Sequence, residues 1–185
     1  MIVKLCENVY KLSVDSNVYL LENEKIVVDT GPRSQRRELL RFLDKIVPLN
    51  EVKKVYFTHL HYDHIGNFDL FSNAEFFAGG AEIEDFKKDK KAAILDDDMV
   101  QKFNVELKEA VSDDVFQIIE TPGHTRGSIC LFYPKQFVLF TGDTLFNKKM
   151  LGRVDLPTSA PFEIKKSLVK LLGCNFKILA PGHDY

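Results

Sequence analysis

Short runs of β-branched, aliphatic and aromatic residues alternate along the chain with segments whose apolar positions have helical spacing. The first thirty residues contain only the short runs, separated by Asn, Asp and Glu, which predicts four strands at residues 3–5, 9–12, 18–21 and 26–28. Residues 33–47 then place leucine, isoleucine and valine at intervals of three and four, which predicts the first helix.

The remainder of the chain repeats this alternation less regularly. We predict a polar helix over 81–91 and a further helix over 161–172. Further strands are predicted at residues 52–58, 74–77, 115–120, 128–133, 137–140 and 176–179. Residues 92–114 have no clear pattern, and their Asp96-Asp97-Asp98 run is interpreted as a loop. Consecutive strands at the start and in the middle favour two sheets with helices outside over a doubly wound parallel sheet.

Composition limits the partners that we expect. A length of 185 residues fits one domain over residues 1–185, and 45% hydrophobic with 28% charged residues is typical of a soluble globular chain. The formal net charge of −2 disfavours nucleic-acid binding. No apolar run approaches the length of a membrane span, and the N-terminus lacks a signal-peptide pattern. We therefore expect a cytoplasmic protein that acts on a small-molecule substrate and binds neither nucleic acid nor a membrane. The sequence leaves the oligomeric state open. Three widely spaced cysteines predict reduced thiols.

All five histidines of the chain lie where predicted strands end. His59, His61 and His64 fall within six residues, while the other two, His124 and His183, each follow a Pro-Gly pair. A single histidine in such a place is best explained as an ordinary surface or core residue. Five of five at strand ends, with a carboxylate inside the cluster, instead predict a metal site, because neutral imidazole is the commonest protein ligand for zinc and also suits iron.

The number of candidate ligands predicts two metal ions rather than one. His59 and His61, two residues apart at a strand end, leave the backbone on the same side. Asp63 and His64 follow at a turn, which aims them at a second point. Asp143, which follows a strand and a glycine, is a further candidate, although an aspartate after glycine is also an ordinary turn residue. Six or seven N and O ligands exceed the four of a closed zinc site and fit two metals about 3.5–4 Å apart.

These motifs, in this order and spacing, resemble the metallo-β-lactamase superfamily and, within it, glyoxalase II, also called hydroxyacylglutathione hydrolase. The resemblance includes Thr-His-Leu-His-Tyr-Asp-His-Ile-Gly at 58–66 and Thr-Pro-Gly-His-Thr-Arg-Gly-Ser at 121–128. The other segments lie at residues 28–31, 141–146, 152–155 and 181–185, so nearly the whole chain is covered. The resemblance implies an α+β fold, an αββα sandwich of two mixed β-sheets face to face with helices on the outside.

The resemblance also implies a role for each residue of the site. The ligands of the first metal would be His59, His61 and His124. The ligands of the second metal would be Asp63, His64 and His183, and Asp143 would bridge the two. Asp29 would orient these ligands from beneath the site, with an ordinary turn aspartate as the alternative. Two zinc ions are expected, with iron or manganese as the alternatives.

The activity that the resemblance implies is hydrolysis of a thioester or related ester. A hydroxide that bridges the two metals would attack the carbonyl group, and Asp63 and Asp143 would be the catalytic residues whose replacement abolishes turnover. A thiolate, with a parent pKa near 8.5, leaves without a strong general acid. Three alternatives stay open: a persulfide dioxygenase with one iron, a lactonase, and a non-catalytic module whose metal stabilises the fold.

The sequence departs from glyoxalase II in two places. Glyoxalase II carries a helical C-terminal domain that contributes to its glutathione site, whereas this sequence ends two residues after His183, so we expect a short form without that domain. The Gly-Cys-Gly-Lys/Arg stretch of that family is Met-Leu-Gly-Arg here. We predict that its Arg153 either binds a substrate carboxylate or pairs with Asp155. Candidates for the lining of a pocket near the site are Phe68, Phe71 and Phe146.

Overall fold

Eleven strands and six α-helices make up the computed structural model, which describes every residue from Met1 to Tyr185. The strands are β1 Ile2–Cys6, β2 Val9–Leu12, β3 Val18–Leu21, β4 Ile26–Val28, β5 Lys54–Tyr56, β6 Glu75–Ala78, β7 Leu107–Glu109, β8 Gln117–Glu120, β9 Ile129–Tyr133, β10 Val138–Gly142 and β11 Ile178–Pro181. The helices are α1 Arg36–Leu43, α2 Tyr62–Ile65, α3 Gly80–Lys88, α4 Lys90–Ile94, α5 Asp97–Lys102 and α6 Ile164–Leu172. Short 3-10 helices lie in the connections at Arg33–Gln35, Leu49–Glu51, Phe68–Leu70 and Asn147–Lys149.

The strands form two mixed sheets. The seven-stranded sheet has the order β1 to β7, with antiparallel pairs from β1 to β4 and parallel pairs from β4 to β7. The four-stranded sheet has the order β11-β10-β9-β8, in which only β10 and β11 are parallel. The four strands predicted at the start of the chain are confirmed, and they form the antiparallel part of the larger sheet.

Alternate residues of the central strands face different layers. Tyr19 of β3 belongs to the core between the sheets, where its ring centroid lies 5.1 Å from that of Phe140 on β10. The next residue, Leu20, faces the other way and packs in the same cluster as Leu39 of α1. The outer face of the smaller sheet is covered by α6 through Leu171. The architecture is therefore the predicted αββα sandwich, and β3 is buried along its whole length because both of its faces are covered.

Three helix boundaries differ from the predictions, and side-chain caps explain two of them. α1 ends at Leu43, yet Val47 still packs in the core, which explains why apolar spacing continued past the helix. The helix predicted over 81–91 is divided at Asp89, whose side chain accepts hydrogen bonds from two backbone N–H groups at the start of α4. Asp96 caps α5 in the same way, so the acidic run is a helix start and its interpretation as a loop is wrong.

The three cysteines, Cys6, Cys130 and Cys174, are free thiols, as their odd number and wide spacing predict. Burial of Cys130 raises the pKa of its thiol to about 12, so this side chain stays protonated and packs as a small apolar group. None of the helices combines the length and the apolar character needed to cross a bilayer.

Candidate metal centre

The predicted ligands meet at one edge of the sandwich, where strands from both sheets end. Asp29 and the histidine motif at 59–64 follow β4 and β5, which are parallel neighbours in the larger sheet. Asp143 and His183 follow β10 and β11, which are parallel neighbours in the smaller sheet. His124 lies in the connection from β8 to β9. Because the carboxyl ends of parallel strands meet at the same edge of a sheet, strand direction brings these loops together.

Three buried histidines form one part of the centre, which we call the three-histidine group: His59, His61 and His124. One ring nitrogen of each lies within 4.8 Å of those of the other two. Burial lowers the pKa of all three imidazoles, that of His61 to about 3, and neighbouring imidazoles contribute to the lowering. These rings are therefore neutral at pH 7, which is the form that binds metal ions.

The other part, which we call the carboxylate group, consists of Asp63, His64 and His183. The Nε2 of His183 lies 3.3 Å from Oδ2 of Asp63. Burial alone would lower the pKa of His64, but the carboxylates of Asp29, Asp63 and Asp143 together raise it well above its usual value. Burial opposes ionisation of Asp63 as well, yet His64 and His183 hold the pKa of its carboxyl below the usual range. Opposite charges thus lie next to each other in this group, whereas the imidazoles of the three-histidine group are neutral.

Asp143 lies between the two groups. Its Oδ1 is 3.3 Å from Nε2 of His64, and its Oδ2 is 3.6 Å from Nε2 of His124 and equally far from Nε2 of His183. A Cβ atom on Gly182 would overlap Oδ1, so the close approach of this loop requires a glycine. One carboxylate therefore contacts both groups, which is the place that the resemblance implies for a bridging ligand.

Four buried atoms of the centre have no hydrogen-bond partner in the protein. They are the Nε2 atoms of His59, His61 and His64 and the Oδ1 atom of Asp143. A buried polar atom without a partner costs about 1–3 kcal/mol, so four such atoms at one point do not suit a purely structural cluster. Coordination of metal ions satisfies these atoms, and imidazole with carboxylate is a donor set that suits zinc and iron. The residues present therefore fit a metal site.

Two of the imidazoles are anchored by backbone carbonyls on their outer side. Nδ1 of His124 donates to the carbonyl of Arg153 at 2.7 Å, and Nδ1 of His183 donates to the carbonyl of Asp15 at 2.9 Å. Because a carbonyl oxygen only accepts, Nδ1 carries the proton in both rings. The lone pair of Nε2 then faces the centre, as metal coordination requires.

Asp29 lies beneath the centre and is buried. Its Oδ2 accepts hydrogen bonds from Nδ1 of His64 and Oγ1 of Thr58, both at 2.8 Å, and its Oδ1 accepts one from the backbone N–H of Thr58. The φ angle of Asp29 is +56°, a left-handed conformation that these side-chain bonds hold in place. An ordinary turn residue would explain the backbone but not the bond to His64, which the predicted orienting role requires.

Glu82 is a buried carboxylate on α3 that the sequence analysis missed. Its Oε1 accepts a hydrogen bond from the backbone N–H of Leu60 at 2.8 Å, and its Oε2 accepts one from the hydroxyl of Thr125 at 2.6 Å. Burial raises the pKa of Glu82 to about 7, although these hydrogen bonds oppose the rise. No pattern distinguishes Glu82 in the sequence, because it is one of several acidic residues in a helix predicted to be polar.

A cavity of about 550 Å³ opens onto the centre. The ligands that line it are His61, Asp63, His124, Asp143 and His183. The apolar residues that line it are Tyr62, Leu95, Phe146, Met150, Leu151, Leu156 and Tyr185. A molecule in this cavity therefore contacts apolar side chains and candidate metal ligands at the same time. A second open groove of about 630 Å³, beside β7 and β8, contains none of the predicted site residues.

The predictions for residues around the cavity have mixed outcomes. Arg153 lines the cavity, and its guanidinium pairs with Asp155 through contacts of 2.8 and 3.0 Å, which is one of its two predicted roles. Phe146 lines the cavity as predicted. The prediction is wrong for Phe68 and Phe71, which lie in the core between the larger sheet and its helices, because the chain after α2 turns towards the apolar helical layer.

Two groups of metal-type ligands that share an aspartate thus lie at the strand-end edge of an αββα sandwich. The chain belongs to the metallo-β-lactamase superfamily, whose family model matches residues 13–183. The matched stretch includes Asp29 and every candidate ligand from His59 to His183.

Two relatives support this membership, and one solved structure shares the fold. A probable metallo-hydrolase of Methanocaldococcus jannaschii is 33% identical and aligns with 99% of this chain and 92% of its own length. A hydroxyacylglutathione hydrolase of Pelagibacter ubique is 30% identical, over 92% of this chain and 67% of its own length. A protein crystallised in a di-iron-bound form has the same fold, with a TM-score of 0.72 and 24% identity, over 100% of this chain and 92% of that one.

Proposed function

We propose that the chain is a binuclear metal-dependent hydrolase that acts on a thioester or a related ester. The observation that carries this proposal is the convergence of four buried, unpartnered ligand atoms in two groups that share Asp143. When bound, two metal ions supply a nucleophile at neutral pH by lowering the pKa of water from 15.7 to about 7, and they polarise the carbonyl group. Zinc is the proposed metal, with iron or manganese as alternatives.

Two aspartates of the chain have proposed roles in the reaction. Asp63 lines the cavity, and its carboxyl stays ionised because His64 and His183 lower its pKa despite its burial. It therefore accepts a hydrogen bond from the attacking water and orients it. Asp143 contacts both ligand groups and holds them at a fixed separation.

The cavity favours a substrate with an apolar acyl part. Tyr62, Met150, Leu151 and Tyr185 line the cavity and are 42% to 57% exposed. Exposed apolar side chains clustered around a concave site commonly mark a binding surface. An apolar acyl chain on such a surface would bury these side chains and place its carbonyl group near Asp63.

The absence of a histidine outside the two ligand groups favours a thioester. All five histidines belong to the two ligand groups, so none remains to protonate a leaving group. A thiolate has a parent pKa near 8.5 and leaves without such help, in contrast to an alkoxide. Glutathione carboxylates are disfavoured as the recognised element, since Arg153 is already paired with Asp155.

Metal content per chain is the first test. Protein purified without tag or chelator should contain close to two zinc ions per chain by mass spectrometry. Close to one iron per chain would contradict the binuclear proposal and favour sulfur oxygenation by a single iron. A protein that contains no metal, even after reconstitution with zinc, iron and manganese, would overturn the assignment of all five histidines.

The substrate proposal is tested by comparing leaving groups and acyl chains. Acyl thioesters of increasing chain length should be hydrolysed with rising kcat/KM, and the chelator-treated protein should be inactive on all of them. Faster turnover of lactones would contradict the proposed thioester class. A kcat/KM that does not depend on acyl length would contradict the proposed apolar acyl part.

A further inference from the structure

We propose that Glu82 is the positioning residue of the three-histidine group and has no such role in the carboxylate group. The inference rests on the proposed metal centre and deepens it. Glu82 has no exposed surface and touches none of the candidate ligands through its carboxylate. Its two oxygens instead hold the two loops that carry the three histidines.

Each oxygen of Glu82 holds a residue next to a ligand. Oε1 accepts the backbone N–H of Leu60, which lies between His59 and His61. Oε2 accepts the hydroxyl of Thr125, which follows His124. The first loop leaves β5 of the larger sheet and the second connects β8 to β9 of the smaller sheet, so one carboxylate joins ligand loops from both layers.

The surroundings of Glu82 leave it little freedom to move. A Cβ atom on Gly127 would overlap the backbone nitrogen of Glu82, so the loop after His124 packs directly against the first turn of α3. Ser128 completes the arrangement, because its Oγ accepts the backbone N–H of Thr125 at 3.1 Å and lies 2.8 Å from the Thr125 hydroxyl. A buried carboxylate held by rigid neighbours transmits its position to the loops that it contacts.

The carboxylate group is supported independently of Glu82. The imidazole of His64 is held by Asp29, and that of His183 is held by the carbonyl of Asp15. Residues that orient ligands without touching the metal typically change metal affinity by roughly 10–100-fold when they are replaced. Loss of the Glu82 carboxylate should therefore weaken one metal position and spare the other.

The test measures each metal position separately. His183→Ala leaves the three-histidine group intact, and His61→Ala leaves the carboxylate group intact. Glu82→Ala is added to each background, and zinc affinity is measured by competition with a chromophoric chelator. We expect roughly 10–100-fold weaker binding in the His183→Ala background and a change of less than about twofold in the His61→Ala background.

A conservative variant separates positioning from general packing. In Glu82→Gln the amide oxygen still accepts from Leu60, and the amide N–H donates to the Thr125 hydroxyl, which then donates to Ser128. This variant should restore most of the affinity lost in Glu82→Ala, and the absorption spectrum of its cobalt(II) form should match that of the parent. If Glu82→Ala does not fold, Thr125→Val removes one of the two supports and should show the same selective loss.

Three results would overturn the inference. Equal losses in both backgrounds would show that Glu82 supports the fold as a whole, and unchanged affinity in both would show that it positions nothing. Lack of metal in both parent backgrounds would overturn the proposed metal centre together with the inference, whereas the first two results leave the proposed function standing.

Discussion

The two ligand groups lie side by side, but their supporting carboxylates act at different levels. Asp29, beneath the carboxylate group, contacts the imidazole of His64 directly. Glu82, beside the three-histidine group, contacts backbone and hydroxyl groups of the loops that carry the histidines. The first arrangement fixes a ring together with the backbone of Thr58, whereas the second fixes the ligand loops without touching a ring. The comparison shows that one metal centre can be oriented both through its ligands and through the backbone that carries them.

The groups also differ in charge. The imidazoles of the three-histidine group are neutral because burial lowers their pKa values. In the carboxylate group, Asp29, Asp63 and Asp143 raise the pKa of His64 well above its usual value despite its burial. Asp143 contacts both groups, so its replacement tests whether the two act as a unit.

The largest expected effect is that of Asp143→Ala, because this change removes the carboxylate that lies between the two groups. We expect kcat/KM to fall at least about a thousandfold, which is roughly 4 kcal/mol of transition-state stabilisation. The circular dichroism spectrum should be unchanged, and metal content should fall. Asp114→Ala, which removes an exposed aspartate elsewhere, serves as the control. Full activity of Asp143→Ala would contradict the bridging role.

His183→Ala should remove one metal and leave the other. Metal content should fall from about two to about one per chain. The melting temperature should also fall, because a metal that binds only the folded state stabilises it. The stabilisation is about 2.7 kcal/mol in the free energy of unfolding when the metal concentration is 100 times Kd. Mass spectrometry and a thermal melt with and without added zinc measure both effects. Unchanged metal content would show that His183 is not a ligand.

Asp29→Asn tests direct support of a ring. An amide offers only one acceptor atom, so either His64 or Thr58 loses its hydrogen-bond partner, at a cost of about 1–3 kcal/mol in the free energy of unfolding. We expect metal affinity of the carboxylate group to fall roughly 10–100-fold. Asp44→Asn on the exposed surface is the matched control. Equal behaviour of the two variants in urea melts and zinc titrations would argue for the turn interpretation of Asp29.

The smallest expected effect belongs to an exposed ion pair that includes none of the candidate ligands. Lys102 pairs with Asp98 on the exposed face of α5 at a distance of 2.5 Å. Exposed pairs of this spacing contribute about 0.3–0.5 kcal/mol, so Lys102→Ala should change the free energy of unfolding by no more than that and leave metal content unchanged. A loss of metal in this variant would show that the effects above report general stability rather than the site.

Local patterns predicted much of the fold and most of the candidate ligands. The strands at 9–12, 18–21 and 26–28 have the predicted bounds because each is a short run of mostly β-branched, aliphatic and aromatic residues between turn-forming residues. Prediction failed where a side chain stops a helix: Asp89 divides one helix, and Asp96 begins another where a loop was expected. Such caps depend on one hydrogen bond rather than on a repeating pattern, so periodicity does not reveal them.

The sequence by itself determined which residues are chemically able to bind metal and where the chain alternates between strand and helix. Both are local properties: ligand chemistry belongs to single side chains, and burial has a short period. Only the tertiary structure decided that Glu82 joins two ligand loops, since its partners Leu60 and Thr125 lie 22 and 43 residues away. It also decided that Arg153 pairs with Asp155 and that Phe68 packs in the core rather than in the cavity. Contacts of this kind depend on how distant segments pack, and packing leaves no pattern in any one segment.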